Sequence, residues 1–189
     1  ALLAGLLKSL GPVEVETAAG FLSGAPRQGR IGIGYAALHS SMAAAAAAPS
    51  VEILDVDRVL DEISAVRGAG SEQRKRDLLK GLFVRVTSEE QHFLVRLLSG
   101  ELRQGALEGI LVEALAKASG ISIERIRRAA MMAGGAAVIA RAALEEGESG
   151  LSPFDIQLFR PVQPMLAQTA EDLGAALVDL GEASLEYKL

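Results

Sequence analysis

The sequence contains no cysteine and no tryptophan, and only 4% of its 189 residues are aromatic. The lack of cysteine excludes disulfide bonds, thiolate metal sites and a cysteine nucleophile, and it favours a reducing, cytoplasmic setting. A histidine metal site is not expected either, because only His39 and His92 are present. Since the chain is nevertheless 50% hydrophobic, its core must be built mainly from aliphatic side chains.

Long apolar runs are also missing. No segment is long enough to cross a bilayer, and no basic stretch followed by an apolar one opens the chain, so we expect a soluble protein. The chain begins at Ala1 inside an apolar helical pattern and ends in an alternating segment, residues 185–189. A single unpaired strand is not stable in water. We therefore expect the chain to be part of a longer protein.

The net charge of −5 argues at first against a nucleic-acid partner. However, residues 67–141 hold 13 Lys and Arg against 8 Asp and Glu, a local balance of +5. A polyanion responds to the surface within a screening length of about 8–10 Å and not to the total charge. The basic middle of the chain is therefore compatible with DNA binding, although a solvated helix face would give the same surplus.

Apolar residues recur at helical spacing through most of the chain, and glycine, proline or serine follows each run. This pattern predicts an all-α domain of about nine or ten helices over residues 1–148, with no convincing strand. The alanine run 43–48 is expected to finish a helix that starts near Gly34, because alanine has the highest helix propensity. Start signals stand at Ser71, at Ser122 and at Thr87, whose partner Glu90 completes a capping box.

The composition changes after Glu148. Three prolines within residues 153–164 indicate an extended connector, and a short helix is expected to follow from a capping box at Thr169 and to end near Gly181. Residues 149–189 are thus predicted to be the connector and the start of a second domain.

Two glycine-bearing segments are candidate phosphate-binding sites. Residues 29–34 match neither a dinucleotide-binding fingerprint nor a Walker loop, and the structural interpretation is a sharp turn between helices, although Arg27 and Arg30 have the charge to touch a phosphate. Residues 99–105 fall between two strong helices, predicted at 89–98 and 106–118. Backbone amides at the start of the second helix, with Arg103 beside them, would attract an anion. A plain helical hairpin remains the alternative.

Lys188 lies in the alternating segment at the end of the chain. A lysine on such a strand usually faces solvent, and to act as a nucleophile it would need burial or neighbouring positive charge to lower its pKa.

Three stretches together resemble the ATP-dependent DNA ligases that carry a helical DNA-binding domain before the catalytic core. The first runs from LKGLFV (79–84) through Ser88 and Glu89 to FLVRLLSGELRQG (93–105), and it is similar to that domain's signature, including its SG-x-LR-x-G turn. The second, FRPVQPMLA (159–167), is similar to the connector, and the third, EYKL (186–189), to the beginning of the E-x-K-x-D-G motif. Their order and spacing match across nearly the whole chain.

The resemblance implies sequence-independent binding of nicked double-stranded DNA through its backbone and minor groove, in replication, repair or recombination. It implies that Lys188 takes AMP from ATP, that Glu186 contributes to the ATP site, and that the whole enzyme uses ATP and Mg²⁺. Because the motif is cut after Leu189, we do not expect this chain alone to seal nicks. We also expect it to be a monomer. The matching turn implies DNA contacts at Ser99, Gly100, Arg103 and Gly105, followed by Lys80. Charge alone adds Arg27, Arg30, Arg74, Lys75, Arg125 and Arg128 as candidates.

Two other classes of function remain open at the level of sequence. The acidic total would suit a helical protein-interaction module that recruits a larger enzyme. A lysine enzyme that forms Schiff bases would need a closed pocket around Lys188, which this chain does not supply.

Overall fold

The computed structural model describes residues 1–102, 105–158, 162 and 172–181. Ten α-helices and no strand lie in these ranges, so the predicted all-α class is confirmed there. The helices are α1 Leu2–Ser9, α2 Pro12–Leu22, α3 Tyr35–Ser40, α4 Ile53–Ala65, α5 Ser71–Phe83, α6 Ser88–Ser99, α7 Gly105–Ser119, α8 Ile123–Ala133, α9 Ala136–Glu145 and α10 Leu173–Leu180. None of the helices in the described part of the chain is both long and apolar enough to span a membrane.

The helices enclose two hydrophobic cores. The first is formed by α1, α2, α7, α8 and α9 around Leu115, Ile126 and Ile139. The second is formed by α2 to α6 around Leu60 and Phe83. Helix α2 joins them, since its earlier residues pack in the first core and Phe21 near its end packs in the second. Both cores are mainly aliphatic, as the composition predicts.

The alanine run 43–48 is not helical, and the prediction that it finishes a helix is wrong. Helix α3 ends at Ser40, after which the chain takes an irregular path. Tertiary hydrogen bonds hold this path: Ala46 N–H donates to the Val86 carbonyl at 2.9 Å, and the buried Gln91 side chain donates to the Ala43 carbonyl at 3.1 Å. These partners outweigh the helix propensity of alanine, which is worth only a fraction of a kcal/mol per residue.

The end of the described chain has two features of note. A 3-10 turn, Ser149–Leu151, packs on α9, and Leu151 is buried in the first core with Phe154 against it. The packed body therefore extends a few residues beyond position 148. Helix α10 ends at Leu180 with Gly181 as its C-cap, which agrees with the predicted end near Gly181. Its N-cap, however, is Asp172, whose side chain accepts a hydrogen bond from Ala175 N–H at 2.8 Å. Thr169 and the alternating segment 185–189 lie outside the described residues.

Candidate nucleic-acid interface

The two glycine-bearing segments of the sequence form opposite walls of one groove. Residues 26–34, here called the glycine loop, face the C-terminal end of α6 across a space of about 510 Å³. The groove is therefore built from segments about 70 residues apart in the chain, which sequence spacing alone does not place together. Its lining consists of Pro26, Gly29, Arg30, Ile31, Gly32, Ile33, Gly34, Tyr35, Leu38, Leu97, Leu98, Ser99 and Gly100.

The glycine loop has a fixed path. Gly29 and Gly32 take left-handed backbone conformations, with φ of 61° and 70°, which side-chain-bearing residues rarely adopt. Between them Ile31 is 4% exposed and packs in the second core. Its carbonyl accepts a hydrogen bond from Lys75 Nζ on α5 at 2.7 Å. The loop is thus held at its middle by both the side chain and the backbone of Ile31.

Arg27 and Gln28 hold the start of the loop against α4. Arg27 Nε donates to the two carboxylate oxygens of Asp57 at 2.9 and 2.8 Å, and Arg27 Nη2 donates to Asp57 and Asp61. Gln28 Nε2 donates to the carboxylates of Asp57 at 2.8 Å and Asp61 at 3.0 Å. The hydrogen bond to Asp57 raises the pKa of Arg27 above its already high usual value. Because the folded state favours the charged guanidinium, this contact stabilises the fold at neutral pH, and the stabilisation is lost only in strongly alkaline solution.

Arg30 stands between these two attachments. Gln28 before it and Ile31 after it are both anchored, whereas the Arg30 side chain is exposed and lines the groove. No side chain in the described part of the protein forms an ion pair or hydrogen bond with it. The loop therefore presents one guanidinium group to solvent at the groove.

The opposite wall depends on how α6 begins and ends. Thr87 and Glu90 form the predicted capping box: Thr87 N–H donates to Glu90 Oε2 at 2.7 Å, and Glu90 N–H donates to Thr87 Oγ1 at 3.3 Å. At the other end Gly100 has a φ of 83°, and Glu101 N–H donates back to the Arg96 carbonyl at 3.0 Å. Leu102 is then buried in the second core. The turn is consequently fixed on both sides of Gly100.

Two residues of this turn, Ser99 and Gly100, are partly exposed at the groove. The Ser99 hydroxyl donates to the Arg96 carbonyl at 3.2 Å within its own helix, so it would have to rotate to donate to a ligand. Arg103 lies outside the described residues, together with Gln104, and α7 begins immediately afterwards at Gly105.

Comparison with known proteins gives a family assignment. A family model described as "DNA ligase N terminus" matches residues 27–116. Over its whole length the chain is 48% identical to a "Probable DNA ligase" of Saccharopolyspora erythraea, covering 37% of that protein. It is 50% identical, over 99% of its length, to 36% of a protein of the same description from an Anaeromyxobacter species. The chain is related to DNA ligases over its whole length.

The match to the ligase model takes in every lining residue of the groove except Pro26. It begins at Arg27, the second residue of the glycine loop, and ends within α7, beyond the turn at Ser99 and Gly100. A third relative, the "Probable DNA ligase" of Rhodococcus jostii, is 45% identical over 97% of this chain, which covers 37% of that protein. The chain thus spans a little more than a third of the length of these ligase-family relatives.

The other residues singled out by the ligase resemblance or by their charge occupy varied positions. Lys80 is exposed on α5, but it lies five residues after Lys75 and so about 140° around the helix from it, and it does not line the groove. Arg74 lines a separate groove between α4 and α5. Arg125 approaches Glu148 at 3.6 Å, and Arg128 is exposed on α8. Glu186 and Lys188 lie outside the described residues.

Sequence reasoning missed two exposed residues at or near the groove. Arg96 is exposed on α6 one helical turn before Ser99. The i, i+3 spacing of the two residues could have predicted that they lie on one side of the helix. Tyr35 is 59% exposed and lines the groove, and its ring lies 4.3 Å from that of His39. Only the folded structure brings Tyr35 to the groove.

Proposed function

We propose that this chain binds nicked double-stranded DNA through its sugar-phosphate backbone, as the DNA-binding part of an ATP-dependent DNA ligase. The observation that carries the proposal is the convergence of the glycine loop and the end of α6 on one groove, with Arg30 at its edge. Apart from Pro26, both walls lie inside the region that matches the ligase model.

The chemistry of the groove suits a backbone ligand. Arg30 supplies positive charge at the groove, and Arg96 is exposed on α6 one helical turn before the groove residue Ser99. In the sequence Arg103 follows Gly100 by three residues. Guanidinium groups bind phosphate through paired N–H donors. Phosphate and sugar contacts fix the position of a protein on a duplex but carry no base information directly. Such a surface would bind a nick in any sequence, which is what strand joining requires.

Electrostatics supports the same proposal. One wall of the groove, Leu97 to Gly100, belongs to residues 67–141, which have a local balance of +5 in a chain whose total is −5. Lysine and arginine contacts to phosphates release condensed counterions, so affinity falls steeply as salt concentration rises. We therefore expect binding to be strong only at low to moderate ionic strength.

Strand joining by the whole protein is part of the proposal. There Lys188 would be the residue that takes AMP, with Glu186 in the ATP site and with ATP and Mg²⁺ as cofactors. These roles follow from the likeness of the EYKL stretch to the ligase motif.

Substitution of the guanidinium groups tests the proposal. Arg30→Ala and Arg103→Ala should each weaken binding to a nicked duplex by about 1–2 kcal/mol at low salt, and each should make the salt dependence less steep. The measurement is a fluorescence-anisotropy titration at several salt concentrations. Lys117→Ala is the matched control, because Lys117 is exposed about 18 Å along α7 from Gly105 and loses the same charge.

Two results would contradict the proposal. One is equal affinity of the two arginine variants and the Lys117→Ala control, which would remove the groove from the binding surface. The other is a wild-type chain that binds neither nicked nor intact duplex at low salt. That second outcome would favour the alternative, a helical protein-interaction module.

A further inference from the structure

The acidic residues Asp57 and Asp61 have no part in the proposed contacts with DNA, yet they are hydrogen-bonded to the glycine loop, which makes those contacts. They lie one turn apart on the same side of α4, and both accept hydrogen bonds from Arg27 and Gln28. Carboxylates this close to a polyanion would be expected to repel it. Their presence at this place calls for a physical reason.

Asp57 is buried, with 7% of the residue exposed. Both of its carboxylate oxygens accept hydrogen bonds from the glycine loop. A buried carboxylate without partners is costly, so Asp57 constrains Arg27 and Gln28 as firmly as they satisfy it. Asp61 is more exposed, with 45% of its side chain accessible, and adds a second acceptor for the same two residues.

On the opposite side, Lys75 of α5 holds the Ile31 carbonyl at 2.7 Å. The carboxylates of α4 and the ammonium group of α5 together attach the loop at residues 27, 28 and 31. Arg30 lies between these attachments and is the residue left facing the groove. The set Arg27, Gln28, Asp57, Asp61 and Lys75 is here called the loop clamp.

We propose that Asp57 and Asp61 are positioning residues for DNA binding, acting through Arg27 and Gln28 to hold the glycine loop in the conformation that presents Arg30. The inference rests on the proposed function. It adds that two acidic residues which do not touch DNA strengthen its binding, because an ordered loop loses less conformational entropy when the complex forms.

The proposal predicts a sign opposite to simple electrostatics. Removing a negative charge near DNA should tighten binding if charge alone matters. If positioning dominates, Asp57→Asn should instead weaken binding to a nicked duplex by about fivefold to tenfold, with a smaller loss for the more exposed Asp61→Asn. Asp77→Asn on α5 is the control: it removes an exposed carboxylate outside the clamp and should leave affinity equal or slightly higher.

Hydrogen exchange in the free protein reports the loop itself. Amides of residues 29–34 should exchange faster in Asp57→Asn and Asp61→Asn than in wild type, and at the wild-type rate in Asp77→Asn. A double-variant cycle gives a further measure. Since Asp57 acts through Arg27, Arg27→Gln combined with Asp57→Asn should lose little more affinity than either change alone.

A second test of the loop clamp leaves the two carboxylates unchanged and displaces Lys75 instead. A Cβ added at Gly32 would lie 2.8 Å from Lys75 Nζ and displace it from the Ile31 carbonyl, whereas a Cβ at Gly29 meets nothing within 4 Å. Both glycines have positive φ, so the pair shares the backbone strain. Gly32→Ala should therefore weaken DNA binding more than Gly29→Ala does.

The outcomes separate this inference from the proposed function. Failure of the wild-type chain to bind DNA overturns both. If wild type binds, and Asp57→Asn and Asp61→Asn bind equally well or better, the positioning role is overturned while the proposed function stands. Weaker binding without faster loop exchange overturns it as well. Should Asp57→Asn fail to fold, Asp61→Asn and the two glycine variants decide the matter.

Discussion

At the scale of single residues, one carboxylate completes a helix to which it does not belong. Helix α9 starts after Gly135, which has no side chain to cap it, and Glu108 of α7 accepts a hydrogen bond from Ala136 N–H at 2.5 Å. A negative group at a helix N-terminus also interacts favourably with the helix dipole. Glu108 thus does across two helices what an N-cap residue normally does within one.

Glu108→Ala should lower the free energy of unfolding by about 1–2 kcal/mol, the usual loss for a helix cap. Urea denaturation followed by circular dichroism measures the change. Glu113→Ala is the control, since Glu113 is exposed on the same helix, and it should change stability by less than about 0.5 kcal/mol. Equal losses in the two variants would argue that helix α7 is weakened in general and that the cap contributes nothing specific.

At the scale of an element, α6 shows how local sequence fixes a wall of the groove. The capping box at Thr87 sets its start, and the left-handed Gly100 sets its end. A Cβ at Gly100 would meet no atom within 4 Å, so any cost of replacing it must come from the backbone. The same open space surrounds Gly81, but Gly81 lies inside α5 with helical geometry.

The two glycines should therefore respond to alanine with opposite signs. Gly100→Ala should destabilise the protein by about 1–2 kcal/mol, because a left-handed conformation is unfavourable for a residue with a Cβ. Gly81→Ala should stabilise it by about 0.5–1 kcal/mol, because alanine restricts the unfolded chain and favours helix. Thermal or urea unfolding of both variants checks this. A stabilised Gly100→Ala would contradict the role assigned to that turn.

At the scale of the whole molecule, the two cores share helices. Val15 and Ala19 of α2 belong to the first core and Phe21 to the second, while α7 lines the first core and places Leu107 against the second. Neither core is complete without these shared elements. We therefore expect the two halves to unfold together.

Leu60→Ala in the second core and Ile139→Ala in the first should each cost about 2–5 kcal/mol, since both side chains are fully buried. Each substitution should lower the stability of both halves equally. Native-state hydrogen exchange of amides in α5 and α9 reports the two halves separately. Loss of protection confined to the substituted half would show two independently unfolding units.

The sequence by itself determined most of the helices and several of their ends, α3 being an exception. Helical periodicity, the capping box at Thr87, the N-cap at Ser122 and the stop at Gly181 all act within a few residues, so a linear pattern contains the information. The three family stretches also lie in the linear sequence, and they were sufficient to indicate the ligase family. The mainly aliphatic core followed from composition alone.

Only the tertiary structure decided which helix surfaces face the groove and how the loops between helices are held. The bonds from Arg27 to Asp57, from Lys75 to Ile31 and from Ala136 to Glu108 join residues 28 to 44 positions apart. The alanine run 43–48 lost its expected helix to similarly distant partners, Val86 and Gln91. Local propensity is worth tenths of a kcal/mol per residue, whereas a buried polar group left without a partner costs about 1–3 kcal/mol. Long-range partners therefore fix the glycine loop and the groove.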